Sequence, residues 1–236
     1  MLLDSDIKEQ LTQYLQLLES DILLKVSAGS DAVSGDITAL ADELAALSPR
    51  ITWEKASLPR TPSFAVTRRG EDSRVTFAGV PLGHEFTSLI LALLQVSGRE
   101  PKIDRQQMDR IRGIKGQFHF ESYISLSCHN CPEVVQALNT MSVLNPGISH
   151  TMIDGAAFQD EVAAKEILAV PTVYLNGHFF SSGRQSLDDI LAALDAAPDP
   201  AEFDNRETFD VLVVGGGPAG ASAAIYAARK GIRTGL

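Results

Sequence analysis

Only two cysteines occur in the 236 residues, and they stand together as Cys128-His129-Asn130-Cys131. Two thiols at that spacing can close a small ring by thiol–disulfide exchange and so alternate between dithiol and disulfide. A strand-like run, Phe118 to Leu126, leads into them. A run from Pro132 to Leu144 leads out, with Val134, Val135, Leu138, Met141 and Leu144 at helical spacing. The pair therefore belongs at a strand-to-helix corner, with Cys128 near the helix N-terminus. Orphan N–H groups and the positive end of the helix dipole favour a thiolate there. Cys128 is the expected attacking and attacked sulfur, and Cys131, one turn in, the resolving thiol. A charged His129 would favour the thiolate further, and a solvent-facing spacer is the equal alternative. A zinc site would need two more ligands from the five histidines, and no His-x₃₋₅-His pair exists. His119 and His150 read as ordinary strand residues.

Three further features bear on this corner or on a second chemistry. Val170-Pro171-Thr172 opens a strand, a common place for proline. The order strand–CxxC–helix, then proline–strand–turn–strand–helix, is similar to the thioredoxin fold. In that fold such a proline is cis, packs against the dithiol, and is preceded by backbone that pairs with an extended substrate. The resemblance implies a cis bond before Pro171 and a similar place for Thr61-Pro62. Glu85 opens a helix in the first half of the chain. It reads either as a first-turn acid favoured by the helix dipole or as a base facing the dithiol across the interface between halves. Gly215-x-Gly217-x-x-Gly220 follows an apolar strand, Phe209 to Val214, and opens a helix, Ala221 to Lys230. In that context it is a dinucleotide fingerprint, its glycines letting a pyrophosphate approach the helix N-terminus. One βα unit cannot bury both faces of its strand, so no cofactor is expected on this stretch by itself.

The remaining elements must position these groups. Helices are expected at Ile7–Leu18, Ser34–Leu47, from Gly83 to about Val96, and at Ile103–Ile111, Gln159–Leu168 and Leu187–Leu194, the last capped by Ser186. Strands are expected at Ile22–Val26, Ile51–Glu54, Ser63–Thr67, Arg74–Phe77, Ile148–Ile153, Thr172–Leu175 and His178–Ser181. The last two are joined by the hairpin signal Asn176-Gly177. Both halves follow one order of elements, which predicts an internal structural repeat. Ala28-Gly29-Ser30-Asp31 occupies the place of the dithiol in the first half, so that half cannot do the same chemistry. The division is 1–112 for a cysteine-free fold, 113–196 for the redox fold, 197–207 for an acidic, proline-containing linker, and 208–236 for the start of a nucleotide-binding domain. The apolar fraction of 44% and the charged fraction of 21% are those of an ordinary soluble protein. A net charge of −10 argues against nucleic acid and anionic membrane as partners. No apolar run approaches the roughly 20 residues of a membrane span. The acidic N-terminus has no signal-peptide pattern, and a cytoplasmic location is expected.

The chain resembles the F-type subunits of alkyl hydroperoxide reductase, flavoproteins related to low-molecular-weight thioredoxin reductases. The resemblance lies in Pro81 to Leu89 (PLGHEFTSL), Ser125 to Pro132 (SLSCHNCP), Val134 to Asn139 and Phe209 to Leu236, with the domain order covering the whole chain. It implies an α/β fold of two fused thioredoxin-like (glutaredoxin-like) folds in tandem, then a linker and the first βα unit of a truncated Rossmann-type FAD domain. It further implies that NADH reduces FAD, FAD reduces a second CxxC, and that pair reduces the Cys128–Cys131 disulfide. The N-terminal dithiol then reduces the disulfide of a peroxiredoxin that destroys peroxides. Glu85 matches the family's acidic residue near the dithiol. The implied partners are the peroxiredoxin and the chain's own FAD domain, in a homodimeric full-length protein. NADH oxidation is not expected from residues 1–236 alone. The competing readings are a general thioredoxin- or glutaredoxin-like disulfide reductase and a binding module that holds an extended peptide.

Overall fold

The structure is a computed structural model that describes residues 2–196, 209–213, 215 and 217–235. Residues 1–192 form one unit and 193–236 a second. The expected linker, 197–207, lies outside the described residues.

The chain runs α1 (Ser5–Leu15), β1 (Ile22–Ser27), α2 (Ala32–Leu47), β2 (Ile51–Lys55), β3 (Ser63–Arg68), β4 (Val75–Ala78), a 3₁₀ turn (Gly83–Glu85), α3 (Phe86–Val96) and α4 (Arg105–Gly113). It continues with β5 (Phe118–Ile124), α5 (Cys131–Leu144), β6 (Ile148–Asp154), α6 (Gln159–Ala164), β7 (Thr172–Leu175), β8 (His178–Ser182) and α7 (Leu187–Ala196). Aspartates cap α1, α2 and α4 by accepting from first-turn N–H groups: Asp4, Asp31 and Asp104. Ser186 and Asp189 exchange the equivalent bonds at the start of α7.

Eight strands make one sheet in the order β2-β1-β3-β4-β6-β5-β7-β8. The first four repeat as the second four, β2-β1-β3-β4 against β6-β5-β7-β8, so the predicted internal repeat is present in the topology. The halves are fused through β4 and β6, which run parallel with Val75 opposite His150 and Phe77 opposite Met152. Strands at this join are buried on both faces, as parallel strands covered by helices must be. The edge strands β2 and β8 are largely open. One apolar cluster crosses the join, taking Leu24, Phe64, Phe77, Leu93, Val135 and Met152. Phe64 and Phe77 stack within it, their ring centres 5.3 Å apart.

Three expected boundaries shift for local reasons. The helix expected from Gly83 begins with a 3₁₀ turn, because Gly83 takes a left-handed conformation (φ 59°). A side chain there would collide with the Leu126 carbonyl, so glycine is required. The helix expected over 159–168 ends at Ala164, where Lys165 closes it and Glu166 turns left-handed (φ 52°). Cys131 is the first residue of α5, not one turn inside it. The hairpin turn is as expected, with Asn176 and Gly177 both at positive φ, 49° and 83°.

In the second unit β9 (Val211–Leu212) pairs in parallel with β10 (Thr234–Gly235) across α8 (Pro218–Arg229). No described residue of α8 is buried, as expected for a lone βαβ unit. Among the described residues no helix is long and apolar enough to cross a membrane.

Candidate functional site

Cys128 and Cys131 are joined as a disulfide, with Cα atoms 5.5 Å apart. Strand β5 ends at Ile124, and a turn closed by Cys128 N–H donating to the Ser125 carbonyl (2.9 Å) delivers the pair to the mouth of α5. The two sulfurs differ in access. Cys131 is wholly buried in the apolar cluster, while Cys128 is half-buried at its rim. The start of α5 also differs from those of α1, α2 and α4. Its cap residue, Asn130, makes no side-chain bond, and Pro132 occupies the first turn. No side-chain cap covers the positive helix end, and the one first-turn acid, Glu133, is paired with Arg184.

Val170-Pro171 is a cis peptide, and so is Thr61-Pro62. Sγ of Cys128 lies 3.9 Å from the Val170 carbonyl oxygen, so the proline loop stands directly beside the outer sulfur. On another side lies the Gly83–Glu85 turn. Its His84 N–H donates to the Leu126 carbonyl (3.2 Å), and the His84 ring rests on the His129 ring with centres 4.0 Å apart. His129 is exposed to solvent, and its ring faces a histidine of the other half. Glu85 is wholly buried on this turn, and neither carboxylate oxygen has a hydrogen-bond partner. Burial pushes its pKa up to about 7, which the nearby Ser88 hydroxyl offsets only slightly. Glu85 sits on the same turn as His84, whose N–H reaches the Leu126 carbonyl just before the CxxC pair.

Residues 120–195 match the thioredoxin-domain family. The F-type subunit of alkyl hydroperoxide reductase in Staphylococcus aureus is 54% identical over 235 residues, covering 100% of this chain and 46% of that protein. A protein named NADH dehydrogenase in Ferdinandcohnia aciditolerans is 68% identical over 236 residues, with the same coverage. Among solved structures, the NTD_N/C domain of alkylhydroperoxide reductase AhpF from Enterococcus faecalis superposes with a TM-score of 0.75 at 25% identity. The match covers 81% of this chain and 99% of that one. The chain spans about half the length of the curated relatives it matches. Residues 120–195 therefore form a thioredoxin-like domain that carries a CxxC disulfide.

The glycine motif stands apart in the second unit. Gly215 is left-handed (φ 113°), Gly217 caps α8, and a Cβ on Gly220 would run into the Gly215 carbonyl. These are the requirements of a turn that lets a pyrophosphate reach a helix end, so the residues present fit that group.

Among the described residues no cluster of three or more His, Cys, Asp or Glu is placed to hold a metal. The histidine expected to be an ordinary strand residue, His150, has a role sequence reasoning missed. It is fully buried between Asn139 (Nδ1···Oδ1 2.7 Å) and Ser122 (Nε2···Oγ 2.8 Å). An amide oxygen only accepts, so Nδ1 carries the proton and Nε2 accepts from the hydroxyl. Arg60, also unremarked in the sequence, reaches from the loop before β3 to Glu121 and Glu161 of the second half. Only its neighbour Thr61-Pro62 hinted at its place.

Proposed function

We propose that this chain is the N-terminal electron carrier of an NADH- and FAD-dependent peroxiredoxin reductase. In the reduced state the Cys128 thiolate attacks one sulfur of the partner's disulfide. A mixed disulfide forms and the partner's other sulfur leaves as a thiolate. The Cys131 thiolate then attacks Cys128 Sγ, closing the internal disulfide and releasing the partner's second thiol. Two electrons pass to the partner, and Glu85 gives and takes the proton that the buried Cys131 sulfur cannot exchange with water. Pro171 holds the Val170 carbonyl at the face where the partner's chain arrives. The observation that carries the reading is the internal disulfide between a half-open and a buried sulfur, beside a cis-proline loop.

In the complete protein, Gly215, Gly217 and Gly220 would hold the FAD pyrophosphate at the start of α8. Bound there, FAD would supply the two-electron relay from NADH to dithiols. The FAD domain of the same full-length chain, a homodimeric assembly and a cytoplasmic setting belong to the same proposal and rest on the family resemblance.

The test is to reduce the chain chemically, remove the reductant, and mix it with an oxidised peroxiredoxin of the alkyl hydroperoxide reductase type or with insulin. Faster reduction of the peroxiredoxin, abolished by Cys128→Ser, is expected. Equal rates with both would favour a general disulfide reductase. Transfer that persists in Cys128→Ser would refute the assignment.

A further inference from the structure

Two anions share the mouth of α5 once the disulfide is opened. One is the Cys128 thiolate. The other is Glu133, the acid in the first turn of that helix. Both draw on the same positive helix end, and a carboxylate there disfavours the thiolate. Arg184 answers this second charge. Its Nε donates to Glu133 Oε2 at 2.5 Å. The loop that carries Arg184 is held at both ends. Before it, Gly183 turns left-handed (φ 88°), and its N–H donates to the Pro171 carbonyl at 2.8 Å. Thr172 Oγ1 and Ser182 Oγ pair at 3.0 Å just ahead of that turn. After it, Ser186 N–H donates to Asp189 Oδ2 at 2.9 Å and closes the start of α7. The guanidinium is thus delivered to the first turn of α5 by the same backbone that anchors Pro171, next to the Val170 carbonyl that faces Cys128 Sγ at 3.9 Å.

We propose that Arg184 is a positioning residue for the dithiol: by neutralising Glu133 it leaves the end of α5 to the Cys128 thiolate. The other titratable groups on the elements packed round Cys128 are His129 on its own loop, His84 and the buried Glu85 on the 3₁₀ turn, and Asp154 at the end of β6, opposite Ile124. Lys165, at the end of α6, lies over the Tyr174 ring. The proline loop, Val170 to Thr172, brings none. All of these stay the same when Arg184 or Glu133 is replaced, so their contribution cancels between variants. The disulfide carries no charge, so Arg184 acts on the reduced state alone. It favours the dithiol over the disulfide and raises the share of Cys128 present as the attacking thiolate. The inference rests on the functional reading above in taking Cys128 as the attacking sulfur, and adds the charge pair that prepares it.

The experiment follows alkylation of Cys128 by iodoacetamide in the chemically reduced chain from about pH 4 to 9, with the labelled residue identified by peptide mass. Arg184→Ala is expected to raise the midpoint of the Cys128 profile by about 0.5 pH unit, the size of one charge at a helix end. Arg184→Lys should keep the unaltered midpoint, and adding Glu133→Gln to Arg184→Ala should restore it. The shift should fade in about 1 M potassium chloride, because the Arg184 and Glu133 side chains are 67% and 38% exposed. Above the midpoint, Arg184→Ala should move the equilibrium with glutathione toward the internal disulfide by about threefold, the same shift read as an equilibrium constant. An unchanged midpoint in Arg184→Ala, or a raised one that Glu133→Gln does not recover, overturns the inference and leaves the functional reading standing. A reduced chain that shows the Arg184 shift yet passes no electrons to the oxidised peroxiredoxin overturns the functional reading alone. Label that appears on Cys131 before Cys128 overturns both.

Discussion

The Val170 carbonyl oxygen lies 3.9 Å from Sγ of Cys128, while Cys131 is closed off inside the apolar cluster. An outside disulfide can therefore meet only the first sulfur. Cys131→Ser is expected to accumulate a covalent complex with the oxidised partner through Cys128, because no second thiol remains to resolve it. Cys128→Ser should form none. Non-reducing electrophoresis and intact mass decide between them, and a complex trapped through Cys131 would reverse the roles.

Glu85 links the site to pH. Its carboxyl is raised from 4.5 to about 7 by burial. Between those values the folded state holds a proton that the unfolded chain has released. Stability is fully present below pH 4.5 and is lost as pH rises through 7, at a limiting slope of about 1.4 kcal/mol per pH unit. Glu85→Gln removes that loss. Denaturant unfolding at pH 5, 6, 7 and 8 should show the variant gaining on the unaltered chain as pH rises. The pH profile of disulfide exchange with the partner should also lose its inflection near 7. Parallel stability curves would mean that Glu85 is not buried as an uncompensated carboxyl.

His150 works in the opposite sense. Full burial, with a smaller contribution from His119, holds its pKa down from 6.5 to about 3. The unfolded chain takes up a proton below 6.5 that the folded state refuses, so stability falls as pH drops from 6.5 toward 3. The ring signals of His150 in an NMR titration should stay those of a neutral imidazole down to pH 4. A ring that titrates above pH 6 would show that Asn139 and Ser122 do not enclose it.

Which features the sequence displayed follows from how local their causes are. The CxxC corner, the proline before β7 and the Asn176-Gly177 hairpin each depend on a few neighbouring residues, and each is where it was expected. The fusion of the halves is not local. Arg74–Phe77 and Ile148–Ile153 read as strands, but nothing in a strand pattern names the strand beside it, so the β4–β6 pairing is not visible in the sequence. The buried bonds of His150, read as an ordinary strand residue, are hidden for the same reason, since its partners Ser122 and Asn139 come from β5 and α5. At α6 the expected helix, Gln159–Leu168, runs four residues past the end at Ala164. The reversal at Glu166 is a backbone conformation that glutamate rarely signals.

Arg60 offers the sharpest test of the fusion. It comes from the first half, and its guanidinium bonds Glu121 at 2.6 Å and Glu161 at 2.8 Å, both from the second. Tyr123 donates to the same Glu161 carboxylate at 2.8 Å. Desolvation raises the Glu161 pKa, and the Arg60 and Tyr123 bonds more than reverse this, leaving it below the usual carboxylate value of 4.5. Arg60→Met would leave two carboxylates facing each other with little water to screen them. Breaking a buried pair by removing one partner costs about 3–5 kcal/mol, and partial exposure of Glu161 places this case near about 3. For a chain of this size that lowers the melting temperature by roughly 6–12 °C. The stabilisation from Glu161 is present above pH 4.5 and is lost as pH falls through its lowered folded value. The gap between Arg60→Met and the unaltered chain should therefore narrow in acid. Adding Glu161→Gln to Arg60→Met should recover part of the loss, since the stranded charge is then gone. Calorimetry of the two single variants and the double variant measures the coupling directly. Strict additivity would mean that the ion pair does not join the halves.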